Sequence, residues 1–302
     1  MSKAIEMVGL TKTFGDLTAV NSLDLHIDAG TIFGFIGPNG AGKSTTIRML
    51  IDAIRPSHGS ARILGLDCHH DMVQVHAHIG YLPAELHLPE DLDGTEYLDY
   101  LGALRGCASQ DNRAELIDRF DLDPTRKLRE LSTGNRRKIA LVQAFMHRPD
   151  VVLLDEPTSG IDPLVQHEFH TFLAGYAANG GTAFLSSHTL SEVERVADRV
   201  GIIRAGQLVM VDTIEALQAQ AGRRVEIDFA SVSDIRKLTA AMLSIDGVQG
   251  VEVRPNGIDV THSGDVDSLL RAATAAGTIA SIRAAAINLE EVFLNYYQAP
   301  GL

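Results

Sequence analysis

One stretch constrains this chain more than any other: the apolar run Ile32 to Ile36 enters Gly37-Pro38-Asn39-Gly40-Ala41-Gly42-Lys43-Ser44-Thr45, and the helical pattern Ile47, Leu50, Ile51, Ile54 follows. That is strand, glycine turn, helix, and the turn fits G-x-x-x-x-G-K-[ST]. The spacing has a physical reason. Glycines let the backbone bend around a phosphate, and its N–H groups then point inward at the start of a helix whose dipole favours anions. Lys43 is placed to reach the β- and γ-phosphates, and the Ser44 hydroxyl to ligate Mg²⁺. A plain glycine turn before a helix would need neither the lysine nor the hydroxyl at these fixed positions. The chain is therefore expected to bind a nucleoside triphosphate.

The pattern on either side predicts an α/β fold. Ile5 and Met7, then Leu23, Leu25 and Ile27, alternate as strands. From about Pro83 to Arg148 the spacing is mostly helical, with Leu98, Leu101, Leu104 and then Leu116, Ile117, Phe120. Val151 to Leu154 are four consecutive apolar residues before Asp155, as in a strand buried on both faces. Helix 164–178, strand 182–186, helix 190–197 and strand 200–204 follow, and that alternation implies a mostly parallel sheet. Beyond a boundary near Ala219 to Arg224 the order changes to β-α-β-β-α-β, with a hairpin signal at Pro255-Asn256-Gly257. This is the order of a ferredoxin-like unit. A last amphipathic helix is expected on Leu289, Val292, Phe293 and Tyr296.

The chain of 302 residues is long enough for two domains. Its 26 basic and 39 acidic residues leave a net charge of -13, which repels polyphosphate backbones, so no nucleic-acid partner is expected. No apolar run is long enough to span a bilayer, and the first residues lack a basic region followed by an apolar core. Two cysteines, Cys68 and Cys107, fit a reduced cytoplasmic setting. Val151 to Glu156 complete the nucleotide site: an apolar strand ending in a carboxylate sets Asp155 beside the metal, and Glu156 next to it can polarise an attacking water.

Taken in order, GPNGAGKST, Leu131-Ser132-Thr133-Gly134-Asn135, LLDEPTSGIDP at 153–163 and SSH at 186–188 resemble the ATP-binding subunits of ABC transporters. The resemblance covers roughly residues 3 to 220, and it is greatest to subunits of bacterial drug and antibiotic exporters whose membrane domain is a separate chain. It implies an α/β P-loop NTPase of ABC type over 1–220, with a helical subdomain at about 84–147, and the strand and helix pattern beyond it leaves 221–302 as a small α+β, ferredoxin-like accessory domain. It also implies ATP and Mg²⁺ as ligands, with two copies pairing head to tail around two ATPs. Leu131 to Asn135 would be the signature segment, Ser132 and the Gly134 backbone meeting the partner copy's γ-phosphate. Phe14 would stack on adenine, His188 would hold the γ-phosphate and attacking water, and the loop with Ser159 and Asp162 would link the two sites. The other partner implied is a multi-pass membrane permease, which would hold the chain at the cytoplasmic face of the cell membrane.

Departures from the family pattern matter at one place. Tyr81-Leu82-Pro83 is followed by Ala84, where relatives usually carry a metal-ligating glutamine, and then by Glu85. Either Glu85 or water would take that ligand's place. The signature has Thr133 and Asn135 where glycine and glutamine are common, and the aromatic is Phe14 where tyrosine is commoner. Lys43, Asp155, Glu156 and His188 are all present, so two identical chains could form a working pair, and a homodimer is preferred to a heterodimer.

Other readings fit less well. A soluble ABC ATPase acting on ribosomes or nucleic acid would generally carry two such domains, long coiled coils or basic arms. A nucleotide sensor without turnover would not need Glu156. Cys68, His69, His70, His76 and His78 suggest a metal, but the spacing closes no zinc pattern, and His76 and His78 would lie about 200° apart on a helix, so a solvated face is expected. Arg136, Arg137 and Lys138 are likewise expected to be a solvated first turn behind the signature.

Overall fold

The computed structural model describes residues 2–106, 112–232, 234–264 and 266–286. The expected helix on Leu289 to Tyr296 lies outside these residues. The chain divides into two compact units, Met1–Asp212 and Thr213–Leu302. In chain order the first contains β1 (Lys3–Phe14), β2 (Leu17–Asp28), β3 (Ile32–Ile36), α1 (Lys43–Leu50), β4 (His58–Ile63), β5 (Leu66–Asp67), α2 (Met72–His78) and β6 (Ile79–Leu82). It continues with α3 (Gly94–Arg105), α4 (Arg113–Arg119), α5 (Thr133–Phe145), β7 (Val151–Asp155), α6 (Pro163–Ala178), β8 (Thr182–Ser187), α7 (Leu190–Glu194), β9 (Arg199–Arg204) and β10 (Gln207–Thr213).

A six-stranded sheet in the order β10-β9-β3-β8-β7-β6 forms its centre, with parallel pairing from β9 through β6. Every residue of β3, β7 and β8 is buried, as the continuous apolar runs require of strands covered on both faces. A second sheet, β2-β1-β4-β5, is antiparallel and turns Ile5, Met7, Leu10, Leu23, Leu25 and Ile27 inward. The two sheets share one core, in which Phe184 packs against Phe33 and Phe35 at 6.0 and 5.1 Å between ring centroids. The carboxyl ends of the parallel strands deliver Gly37, Pro83, Glu156 and His188 to one edge, where ligands bind in sheets of this kind.

The helical region supplies α3, α4 and α5, each end fixed locally. Asp93 and Glu96 form a capping box on α3, which closes at Gly106 with φ of 67°. Ser132 caps α5, its Oγ accepting from the Asn135 amide at 3.3 Å. Helices α3 and α5 come so close that a Cβ on Gly94 would lie 2.6 Å from Ile139 Cδ1.

The second unit contains α8 (Ile214–Ala221), β11 (Arg223–Val232), α9 (Ile235–Leu243), β12 (Val248–Arg254), β13 (Gly257–His262), α10 (Val266–Ala276) and β14 (Gly277–Ala286). After α8 the order is β-α-β-β-α-β, as the sequence pattern predicts. The sheet runs β12-β13-β11-β14 with every neighbour antiparallel. Val225, Ile227 and Phe229 point one way and pack with Leu238, Met242, Leu269 and Ala273 from α9 and α10. The division between Asp212 and Thr213 groups α8 with this unit, whereas the sequence reading ends the first domain after that helix.

Candidate nucleotide site

The loop between β3 and α1 is shaped by its glycines. Gly40 and Gly42 have φ of 79° and 111°, the region that only glycine enters at low cost. Gly42 also has no room for a side chain, since a Cβ there would lie 2.5 Å from the Ala19 carbonyl oxygen. Helix α1 starts with no side-chain cap and no acidic residue in its first turn, so its amino end is unneutralised. Pro38 to Thr45 line a cleft of about 230 Å³ together with Ala19, Ala84 and Glu156.

Lys43 is only 6% exposed. Its Nζ donates to the carbonyls of Gly37 at 2.6 Å and Pro38 at 3.3 Å, and lies 3.6 Å from Glu156 Oε1. Burial pulls the ammonium below the usual lysine range, while Glu156 and Asp155 push it back up. A phosphate is the anion such a group would hold. It would take over the carbonyl contacts, and the charge would sit in a cradle already open to anions.

Asp155, at the end of β7, is 2% exposed and accepts a hydrogen bond on Oδ1 from the Ser186 hydroxyl. Ser186 also receives the Glu156 amide, on its carbonyl at 3.1 Å and on its Oγ at 3.3 Å. This matters because Glu156 has φ of 51°, a left-handed conformation that costs energy for any residue with a side chain. Nδ1 of the half-exposed His188 imidazole lies 2.7 Å from a Glu156 carboxylate oxygen, the distance at which an Nδ1–H donates to it. The structure thus brings Lys43, Asp155, Glu156 and His188 to one place. The oxygens of Ser44 and Asp155 are a donor set that suits Mg²⁺, a hard cation.

The remaining predicted residues fall as follows. Ala84 lines the cleft, and Glu85 is exposed outside it. Phe14 is 49% exposed at the end of β1, with Lys12 Nζ 4.9 Å from its ring centre. In the signature segment Leu131 is buried, while Ser132 and Thr133 are exposed at the head of α5. A Cβ on Gly134 would lie 3.2 Å from the Gly160 carbonyl oxygen, so the signature segment and the Ser159–Asp162 loop of one chain touch. Asp162 itself caps α6, accepting from the amides of Leu164 and Val165 at 3.1 Å.

Two expectations are overturned. Arg136, Arg137 and Lys138 are not a solvated turn: Arg137 is 2% exposed and Lys138 is 9% exposed. All three reach back to backbone carbonyls, Arg136 to Leu128, Arg137 to five oxygens at the strand ends, and Lys138 to Asp121. The signal was available, because Arg137 stands four and eight residues before the buried Leu141 and Phe145, on the inward stripe of α5. Nor is the cysteine and histidine cluster wholly a solvated face. Cys68 is buried, and burial pushes its thiol up to about 12. His69 pairs with Asp52 at 3.0 Å and His78 with Asp150 at 2.7 Å. Among the described residues no group of three or more His, Cys, Asp or Glu could hold a metal ion.

A family model described as ABC transporter matches residues 20–159. The daunorubicin/doxorubicin resistance ATP-binding protein DrrA of Streptomyces peucetius is 36% identical over 74% of this chain and 69% of its own length. The daunorubicin resistance ATP-binding protein DrrA3 of Streptomyces coeruleorubidus is 33% identical over 97% of this chain and 95% of its own. The bacitracin transport ATP-binding protein BcrA of Enterococcus faecalis is 33% identical over 80% and 79%. Among solved structures, an ATP-binding subunit of an ABC transporter matches with a TM-score of 0.66 and 26% identity, over 72% of this chain and 92% of that one. A dimeric bacterial ABC transporter cassette, MJ0796, matches in fold with a TM-score of 0.64 at 19% identity, over 70% and 98%. The chain belongs to the ABC transporter ATP-binding proteins, a family of ATPases.

Proposed function

We propose that this chain is the energy-coupling ATPase of an exporter for drugs, antibiotics or other small hydrophobic molecules, acting through a separate multi-pass permease. The observation that carries this is the convergence of Lys43, Glu156 and His188 at the open end of the phosphate loop, in a chain related over most of its length to subunits named for drug resistance. Among the described residues no helix is long and apolar enough to cross a membrane, so the path for cargo would lie on the permease, with this chain bound at its cytoplasmic face. Two copies would pair head to tail, the signature of each closing over the other's nucleotide. Exposed Val73 and Leu104 beside a cleft lined by α2, α3 and His147 offer an apolar face for the permease.

In this reading the β- and γ-phosphates draw Lys43 Nζ from the Gly37 and Pro38 carbonyls. Glu156, relieved of Lys43, accepts a proton from the attacking water on its carboxylate. His188 donates through Nδ1 and keeps that carboxylate aimed. Phe14 offers a flat apolar face to the adenine, which needs no base-edge readout. Mg²⁺, held by Ser44 and Asp155, supplies charge neutralisation on the phosphate oxygens when bound. Ala84 brings no side-chain ligand and Glu85 is exposed outside the cleft, so water rather than Glu85 would stand in for the ligand that relatives carry at Ala84. The work that can be transferred equals the differential affinity of ATP for closed and open pairs.

The test is a tagged Glu156→Gln chain, loaded with ATP and extracted from its host's membranes in mild detergent, with mass spectrometry of what accompanies it. A co-purifying polytopic protein is the expected result. Ribosomes or soluble partners without any membrane chain would overturn the transport reading.

A further inference from the structure

The side chain of Arg137 reaches the nucleotide site from behind, and it does so with every donor it has. Nε donates to the Pro157 carbonyl at 3.2 Å. Nη1 donates to Pro83 at 2.8 Å and Ala84 at 2.9 Å, and Nη2 to Asp155 at 3.0 Å and to Glu156. A guanidinium carries five N–H groups in a rigid fork, and here all five end on backbone carbonyls. Among the described residues no carboxylate lies within ion-pair distance of it, although it is 2% exposed. A cation buried on these terms is costly, so the arrangement does something that an apolar residue on the inward stripe of α5 could not.

What it does follows from where the carbonyls belong. Pro83 and Ala84 follow β6, Asp155 ends β7, and Glu156 and Pro157 follow it. These two strand ends are neighbours in the sheet, but their pairing stops at Leu82 opposite Leu154. Beyond that point the guanidinium bridges them. Glu156 is held in its left-handed conformation from both sides, its amide by Ser186 and its carbonyl by Arg137. The bridge starts from α5, whose first turn is the signature segment and rests on the Gly160 loop.

We infer that Arg137 is a positioning residue that ties the seating of the signature helix α5 to the aim of Glu156 and to the Pro83–Ala84 segment of the same chain. The inference rests on the reading of Glu156 as the general base. When α5 shifts as its signature segment meets the partner's nucleotide, the carbonyls of 83–84 and 155–157 shift with it, so closure of one site re-aims the carboxylate of the other. Ala84 leaves that segment without a side chain to anchor it at the cleft, and the guanidinium anchors it through the backbone.

The test compares wild type, Arg137→Lys and Arg137→Gln in the full chain. Three quantities are read: ATP affinity, steady-state kcat and KM, and hydrogen exchange of the Glu156 and Ser159 amides without nucleotide. Expected are melting curves that keep both variants folded at the assay temperature and ATP affinity within about threefold of wild type. The kcat should fall about 10- to 100-fold, on the scale of a misplaced catalytic group, with Lys the milder change. Exchange of the two amides should be faster in both. Unchanged kcat and unchanged exchange in the folded variants would overturn the inference. So would variants that fail to fold, or that lose ATP affinity and kcat in proportion, since either assigns Arg137 a purely structural role. Wild type without ATPase activity would instead sink the general-base reading, and the exchange measurement would still report on the bridge.

Discussion

The two units of this chain bury polarity very differently. Of the eleven buried polar or charged side chains among the described residues, ten lie in the first unit, among them Lys43, Thr46, Arg137, Asp155 and Ser186, and the second contributes only His262. The second unit pairs its charges across its sheet: Arg254, with Nε and Nη2 buried, meets Asp228 at 3.1 Å and Asp259 at 2.5 Å, and Arg283 approaches Glu226 at 3.9 Å. Its core is otherwise aliphatic and aromatic. Buried polar groups are tolerated only when hydrogen-bonded, and a site that must hold a phosphate and a carboxylate in fixed relation has a use for them. The first unit accepts that cost at the strand ends around the phosphate loop, whereas among the described residues of the second the buried polar atoms belong to His262 and the Arg254–Asp259 pair.

Four experiments would break or sharpen this contrast. Glu156→Gln should reduce kcat at least about 100-fold while ATP still binds, with a stable dimer in sedimentation, because the amide keeps the shape and loses the base. Ordinary turnover would remove the catalytic reason for burying charge there. Leu269→Ala, in the core of the second unit, should destabilise that unit by about 2–5 kcal/mol in urea unfolding and leave the kcat of folded protein within about twofold. A parallel loss of ATPase would show the units are energetically one. Ser186→Ala removes the hydroxyl held between Asp155 and the Glu156 amide, and should cost about 1–3 kcal/mol of stability together with a loss of kcat. Full activity would show that Arg137 and the Ser186 carbonyl suffice to hold the turn.

The smallest effect concerns pH. Burial, with Arg105 nearby, pushes His147 down to about 4, while its bond to the Ile79 carbonyl opposes the shift. The neutral form is thus favoured on folding, so its stability contribution is present above about 6.5 and is lost as pH falls from there toward 4. His147→Gln should flatten the decline of unfolding free energy, read from urea titrations, between pH 7 and 5 by about 1 kcal/mol or less, since the group is only partly buried. An unchanged slope would place the acid sensitivity elsewhere.

Much of the first unit was legible. Strand periodicity, the glycine turn and the acid after Leu154 are short-range signals, because bending around a phosphate and ending a strand in a carboxylate involve residues adjacent in sequence. The β-α-β-β-α-β order of the second unit came from the same kind of signal, alternation broken by turn residues. The basic run after the signature is harder to read, because charge in a helix suggests solvent even though the spacing of Arg137, Leu141 and Phe145 puts Arg137 on the inward stripe of α5. Cys68 is hard to read for a different reason: it sits in the turn between β5 and α2 beside polar histidines, and only tertiary packing buries it.

By itself the sequence determined that phosphate, metal and an activated water are to be handled, since loop backbone, lysine, hydroxyl and carboxylates sit at spacings set by local geometry. The tertiary structure alone decided how those groups are held. Ser186 under Asp155, His188 on Glu156, Gly134 against Gly160 and the five carbonyls around Arg137 all join residues far apart in the chain. Such contacts depend on strand order and helix packing, which no local spacing specifies.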